Sequence, residues 1–417
     1  MDRNAIREVL LRCLRADAER EWGEIASAFK AFSDEDWRQF LRELGGFKLS
    51  PLFYWKLKSR AAEVEIPVEI FQKMRDAYLS NWARNARFFH ALKNVLAAFQ
   101  DAGISVITLK GAHIAALIYR DVGARAMVDV DLLVHEADLP KVDRVMLGLG
   151  YEPREPHRLV SPEGHEFHYR LKNPPVPIEV HWKLISSSYA FRIDAETLWK
   201  YSHAHEIEGV RAFALSPEDL LLHVSVHMSI HMFLNGLRDL SDVAQILRVH
   251  AGRLDWVRVL SQAGEWGVEK CVHMTLLLAA RLLNAAIPER VFASLSPGGF
   301  DESYYEAAKN AVLSPRRAAL ESPFLTPNLV LMFGKKGVRA KAGLLAKKML
   351  PSRAALTAFY GVSPRSPLLP IFYLKWMAAV IGRNAPAAMR LLFPNVKGSA
   401  SETGADLAPL MNWLISR

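Results

Sequence analysis

Two carboxylates one residue apart stand in Val128-Asp129-Val130-Asp131-Leu132-Leu133-Val134, a run with the alternation of a strand. On such a strand Val128, Val130, Leu132 and Val134 share one face, and Asp129, Asp131 and Leu133 share the other. Side chains at i and i+2 lie about 6.6 Å apart at the backbone, close enough to converge on a hard cation that takes oxygen ligands. Mg2+ is the natural choice, with Mn2+ as the alternative. In phosphoryl transfer two such ions, about 4 Å apart, activate an attacking hydroxyl and neutralise charge on the leaving phosphate. Alone, an Asp-x-Asp on a half-buried strand more commonly marks a solvated sheet face. Two other segments change that reading. Pro177-Ile178-Glu179-Val180-His181-Trp182-Lys183-Leu184 is a strand of the same kind, with Glu179, His181 and Lys183 on its polar face, so that Glu179 can be a third carboxylate. Lys110-Gly111, at a strand-to-helix turn, combines free backbone N–H groups, a helix dipole and a cation, which together make a phosphate cradle.

The elements that must carry these groups follow from periodicity. Residues 1 to about 98 read as helix, most clearly in Trp82, Ala86, Phe89, Leu92, Leu96 and Phe99. The pattern changes after Gly103: Ile104 to Leu109 reads as a strand, Ala112 to about Arg120 as a helix, Met127 to Val134 as a strand, and Asp138 to Leu149 as a helix stopped by Gly150. Strands at His165 to Leu171 and Pro177 to Leu184 flank Asn173-Pro174-Pro175, which predicts a hairpin. Ser216-Pro217-Glu218-Asp219 has the form of a helix N-cap, and helices are expected from there to about residue 320. The sum is a mixed α/β (α+β) chain: a helical region at 1–98, a core with a small mixed sheet at 99–215, a helical domain at 216–320 and a basic, apolar helical region at 321–417.

Taken together these segments resemble the uncharacterised nucleotidyltransferase family of bacterial proteins, within the polymerase-beta-type nucleotidyltransferase superfamily. The resemblance rests on Ala102-Gly103-Ile104, Leu109-Lys110-Gly111-Ala112, Leu117-Ile118-Tyr119-Arg120-Asp121, Arg125, Asp129-Val130-Asp131-Leu132-Leu133-Val134, Gly150-Tyr151 and Glu179-Val180-His181-Trp182. It extends through Leu215 to His223 and the stretch Asp239 to Leu247, over about residues 70 to 265. It implies transfer of a nucleoside monophosphate from a nucleoside triphosphate to an acceptor hydroxyl, with release of pyrophosphate. It also implies that Asp129 and Asp131 bind the metals, that Glu179 completes the triad, that Lys110-Gly111 holds the triphosphate and that Arg125 clamps phosphate. A Lys-Gly turn stands where the wider superfamily has Gly-Ser or Gly-Gly, and Glu179 where Asp is commoner.

Composition limits the remaining readings. Cys13 and Cys271 are too few for a disulfide framework or a thiolate zinc cage, and the N-terminus has no signal-peptide pattern, so a cytoplasmic protein is expected. The net charge of +9 is local: twelve Lys or Arg and no acid lie between Glu321 and Glu402, leaving 41 basic against 44 acidic residues elsewhere. Residues 322–400 mix basic and apolar runs too short to span a bilayer but suited to lying on an anionic membrane at its inner face; a basic helical cap over the core is the plainer reading, and no clear nucleic-acid motif is present. His223, His227 and His231 share a helical face without the acid of a His-Glu-x-x-His site, and are expected to line the cleft or pack. Asp239 and Asp242 read equally as solvated or cap residues and as contacts to nucleotide or acceptor, and His165 and His168 as bystanders on a polar sheet face. Two readings without turnover stay open: a non-catalytic nucleotide-binding module, and a membrane-surface scaffold working through its tail.

Overall fold

The computed structural model describes residues 1–15, 17–153, 164–186, 189–314, 353, 356–357, 362–363, 365–378 and 400–416. The expected runs at 329–333, 335–336 and 344–350 lie outside the described residues.

Five helices open the chain: α1 (Arg3–Leu14), α2 (Trp22–Lys30), α3 (Asp34–Gly46), α4 (Ser50–Leu57) and α5 (Val68–Asp101). Side-chain caps fix the starts of two of them. The Asp2 side chain accepts from Ala5 N at α1, and at α3 Ser33 and Asp36 form a reciprocal capping box. The apolar stripe of α5 is buried at Phe89, Leu92, Leu96 and Phe99, whereas Trp82 is 49% exposed. One turn apart on the same helix, the buried amides of Asn81 and Asn85 donate to the carbonyls of Gly123, Val122 and Arg125. These bonds tie down the loop that leads into the Asp129–Asp131 strand.

The sheet has seven strands: β1 (Ile107–Thr108), β2 (Val130–Leu133), β3 (Glu152–Pro153), β4 (Glu166–Leu171), β5 (Val176–His181), β6 (His203–Ile207) and β7 (Val210–Ala214). Their spatial order is β3-β4-β5-β2-β1-β7-β6. β2 runs parallel to β5 and antiparallel to β1, β1 runs parallel to β7, and the other pairs are antiparallel, so the sheet is mixed, as expected. The hairpin across Asn173-Pro174-Pro175 is β4–β5.

Several boundaries differ from expectation for identifiable reasons. The first strand is two residues long because Gly103, at φ +67°, and Ile104 close the end of α5, their N–H groups bonding to Gln100 O and Phe99 O. The helix after it is continuous in place but changes winding, from α6 (Lys110–His113) to a π-helical turn (Ile114–Tyr119) that stops at Arg120 in the left-handed region. Strand β2 starts at Val130, and Val128, expected on the packed face, is exposed. Hairpin β6–β7 was not expected. Its signal was nonetheless present, since Glu208-Gly209, both at positive φ, lies between two short alternating runs.

The rest is helical: α7 (Leu139–Gly148), α8 (Ala195–Tyr201), α9 (Pro217–Ile230), α10 (Leu237–Val249), α11 (Trp256–Trp266), α12 (Glu269–Leu283), α13 (Glu289–Leu295), α14 (Glu302–Val312) and a last helix, Ala400–Ile415. Ser216 caps α9 by accepting from Asp219 N, as its motif predicts. Two apolar clusters result. One joins Phe88 to Phe99 of α5 and Val142 and Met146 of α7 to Val130, Leu132, Ile178 and Val180 on one sheet face. The other joins α1–α4 to α9–α14 and reaches the opposite sheet face at Leu133. The alternation read from sequence therefore separates a packed face from one that carries Asp131, Glu179 and His181. Among the described residues no helix is long and apolar enough to cross a membrane.

Candidate active site

Register brings the site together. Asp131 on β2 is level with Glu179 on β5, which is level with His168 on β4; one step along, Leu133, His181 and Glu166 are level. Cross-strand neighbours point to the same face. The three strands thus present two rows of side chains, with Asp131, Glu179 and His168 in one row and His181 and Glu166 in the next.

Each carboxylate in these rows touches a nitrogen cation or imidazole. Lys110 Nζ donates to Asp131 Oδ1 at 2.9 Å, and His181 Nε2 lies 3.1 Å from the same oxygen. His168 Nδ1 is 3.1 Å from Glu179 Oε1 and its Nε2 is 3.2 Å from Glu166 Oε1, so the ring bridges two carboxylates. Glu166 also meets His181 Nδ1 at 3.1 Å and His165 Nε2 at 3.5 Å.

The charges respond accordingly. Burial alone would raise the Asp131 pKa, but Lys110 and His181 hold it well below the usual carboxylate range. Burial alone would lower that of Lys110, yet Asp131, Glu179 and Glu166 keep it raised. His168 is pushed up to about 10, since Glu166 and Glu179 outweigh burial. For half-buried Asp129 the balance goes the other way: desolvation, then Asp131 and Glu179, outweigh Lys110 and Arg238 and push its carboxyl up to about 7.

That last value sets a pH dependence. An acid whose pKa rises on folding favours the fold when protonated, so its contribution is complete below the ordinary value near 3.8 and is lost as pH rises through about 7. A divalent cation held by Asp129 would need the carboxylate and would reverse that loss. The apparent Kd for Mn2+ is expected to weaken about tenfold per pH unit below 7 and to level off above it, for one linked proton. Titrations at pH 6, 7 and 8 measure this, and equal affinity at all three would refute it.

The sequence-derived residues fall into three groups. Asp131 and Glu179 are brought together; with His181 their ligand atoms lie within 4.8 Å of one another, and Glu166, His168 and Glu179 form a second such group. Asp129 lies outside both groups but feels the charges of Asp131 and Glu179. Lys110 reaches the carboxylates from the start of α6, with its backbone at φ +35°. Arg125 is turned away from the row: it is 9% exposed, and its Nε donates to Asp242 Oδ2 at 2.8 Å. It is adjacent to the turn all the same, because a Cβ on Gly111 would sit 3.1 Å from Arg125 Nη1.

Helix α9 supplies the opposite wall. His223 is buried and close enough to Lys110, Asp131 and His181 for their charges to act on it; its Nε2 has no hydrogen-bond partner. His227 stands 3.7 Å from Asp239, which Arg238 and Asn235 also hold, and its ring lies 4.4 Å from that of His231. His223, His227 and His231 are thus buried within reach of the Lys110 charge. Glu166, His168 and His181 were passed over as site residues. Alternation on both strands of the hairpin was the signal that could have found them, once the turn at 173–175 had fixed the pairing.

A mixed sheet carries in-register carboxylates on one face, with a lysine at the adjoining strand-to-helix turn, and these acidic and imidazole groups could hold a metal ion. The chain belongs to the uncharacterised nucleotidyltransferase family, whose sequence profile matches residues 33–284, from α3 into the residue after α12. No curated protein matches the chain.

Proposed function

We propose that this protein transfers a nucleoside monophosphate from a nucleoside triphosphate to an acceptor hydroxyl, releasing pyrophosphate, with Asp129, Asp131 and Glu179 as the metal-binding carboxylates. The observation that carries this reading is the level placement of Asp131 and Glu179 on adjacent parallel strands, with Lys110 reaching the same oxygen from the next element. The donor set fits a hard divalent ion: buried carboxylate oxygens converge, and in this structure a lysine ammonium compensates their charge. Bound there, Mg2+ or Mn2+ would supply electrostatic stabilisation of the phosphates and of the attacking oxygen.

The chain's own groups do the rest. Lys110, which pairs with Asp131 in this structure, would pair with the triphosphate, and the backbone N–H groups after it would face the phosphate oxygens. Glu179 orients the acceptor hydroxyl and accepts its proton. In this reading Arg125, whose Nε bonds to Asp242, acts on phosphate through the Gly111 turn beneath which it sits. The α9 wall keeps water from the reacting phosphate.

Calorimetric titration of each nucleoside triphosphate with Mg2+ or Mn2+ tests this. Metal-dependent binding by the wild type, absent from an Asp129→Ala plus Asp131→Ala variant, supports the reading and identifies the donor; a folded wild type that binds no triphosphate refutes it.

A peripheral membrane contact for the basic tail has one observation in its favour. In the helical segment 369–378 and the residue before it, Leu368, Ile371 and Leu374 are exposed at 52, 49 and 66%, three residues apart and next to Lys375. Cosedimentation of the full chain with vesicles containing anionic lipid, falling as salt is raised, is the expected result; equal recovery with neutral vesicles would remove the proposal.

A further inference from the structure

Of the imidazoles around the carboxylate row that have no part in the function just proposed, His181 is the most deeply buried. His181 ends β5, is 1% exposed, and aims its Nε2 at the point where Asp131 and Glu179 converge, 3.1 Å from Asp131 Oδ1 and 3.8 Å from Glu179 Oε2. On the far side of the ring, Nδ1 lies 3.1 Å from Glu166 Oε2 and has no well-aligned hydrogen bond. This order of groups, carboxylate, imidazole and then a convergence of carboxylates, matches the arrangement by which metal-binding histidines are held. An outer carboxylate keeps the proton on the outer nitrogen, and the inner lone pair is left for the ion.

We infer that His181 is a nitrogen ligand of the cation held by Asp131 and Glu179, with Glu166 as its positioning residue, and that the site prefers a divalent first-row transition ion to Mg2+. The inference rests on the reading of Asp131 and Glu179 as metal ligands and adds the imidazole to them. Mg2+ takes oxygen donors almost exclusively, whereas an imidazole among carboxylates suits the divalent transition ions. His168 is the competing candidate, but its nitrogens meet Glu166 and Glu179 rather than Asp131, and its side chain is 32% exposed against 2% for His181. Coordination would use the Nε2 lone pair, any proton there passing to solvent, and would displace Lys110 Nζ from Asp131 Oδ1, with no change of oxidation state.

The test is pulsed electron paramagnetic resonance of the full chain loaded with Mn2+ alone. Nitrogen modulation of a directly bound imidazole is expected, changing when the histidines are labelled with 15N and vanishing in His181→Gln. Glu166→Gln is expected to keep the modulation while weakening Mn2+ about tenfold or more, the usual effect of losing an outer-shell partner. The wild-type spectrum needs no variant to fold. Mn2+ bound without nitrogen modulation overturns the inference and leaves the carboxylate site intact. Modulation that survives His181→Gln and is lost in His168→Gln overturns it in favour of the neighbouring cluster. A wild type that binds no Mn2+ removes both the inference and the metal-dependent reading beneath it.

Discussion

Asp131→Asn is expected to lower nucleotidyl transfer by at least about 10³-fold, equivalent to about 4 kcal/mol of transition-state stabilisation. The substitution keeps the shape of the side chain but removes the charge on which Lys110 Nζ and His181 Nε2 both converge. Two losses combine. The cation site loses its most buried carboxylate, and Lys110 is left with only Glu179 and Glu166 to offset its burial. Breaking a buried pair from one side costs about 3–5 kcal/mol in well-packed sites, so the metal-free variant should also unfold at lower denaturant. Turnover and denaturant midpoint, measured on one preparation, separate the two losses. A variant with near-wild-type turnover would remove Asp131 from the chemistry whatever its stability.

The second large effect lies outside the carboxylate row. Asp242→Ala is expected to destabilise the protein by about 3–5 kcal/mol, because it leaves the buried Arg125 guanidinium without its carboxylate. Arg125→Met combined with Asp242→Leu should recover much of that stability, since replacing both partners removes the unpaired charge. The repacked protein is nevertheless expected to bind triphosphate more weakly, because the guanidinium that backs Gly111 has gone. Denaturant unfolding beside nucleotide titration reads both quantities. A single variant within about 1 kcal/mol of wild type would show that the pair contributes little.

The parts legible in the sequence were those governed by local pattern. Period-two alternation put Asp131 and Glu179 on one face and Val130, Leu132, Ile178 and Val180 on the other, and the proline turn at 173–175 placed the β4–β5 hairpin. The Ser216 cap was equally local. Nonlocal partners were not legible. Val128 looks like a strand residue, but the β2–β5 ladder begins only at Val130, opposite Ile178. Arg125 looks like a free cation because Asp242, 117 positions away, is visible only in the fold. His181 and Glu166 looked like ordinary polar-face residues until antiparallel pairing set them side by side.

The order in which the sheet is assembled also bears on synthesis. The short central strand β1 is flanked by β2 on one side and, on the other, by β7, where Ile107 pairs with Phe213, and the wall of the cleft comes later still, from α9 and α10. A ribosome delivers Asp129 and Asp131 long before the segments that enclose them. The nascent chain therefore carries an open sheet edge and unroofed acids through roughly a hundred further residues, added at about 5–20 per second. During that interval the β1 edge is a pairing site for any other strand within reach, and the arrival of β7 closes it.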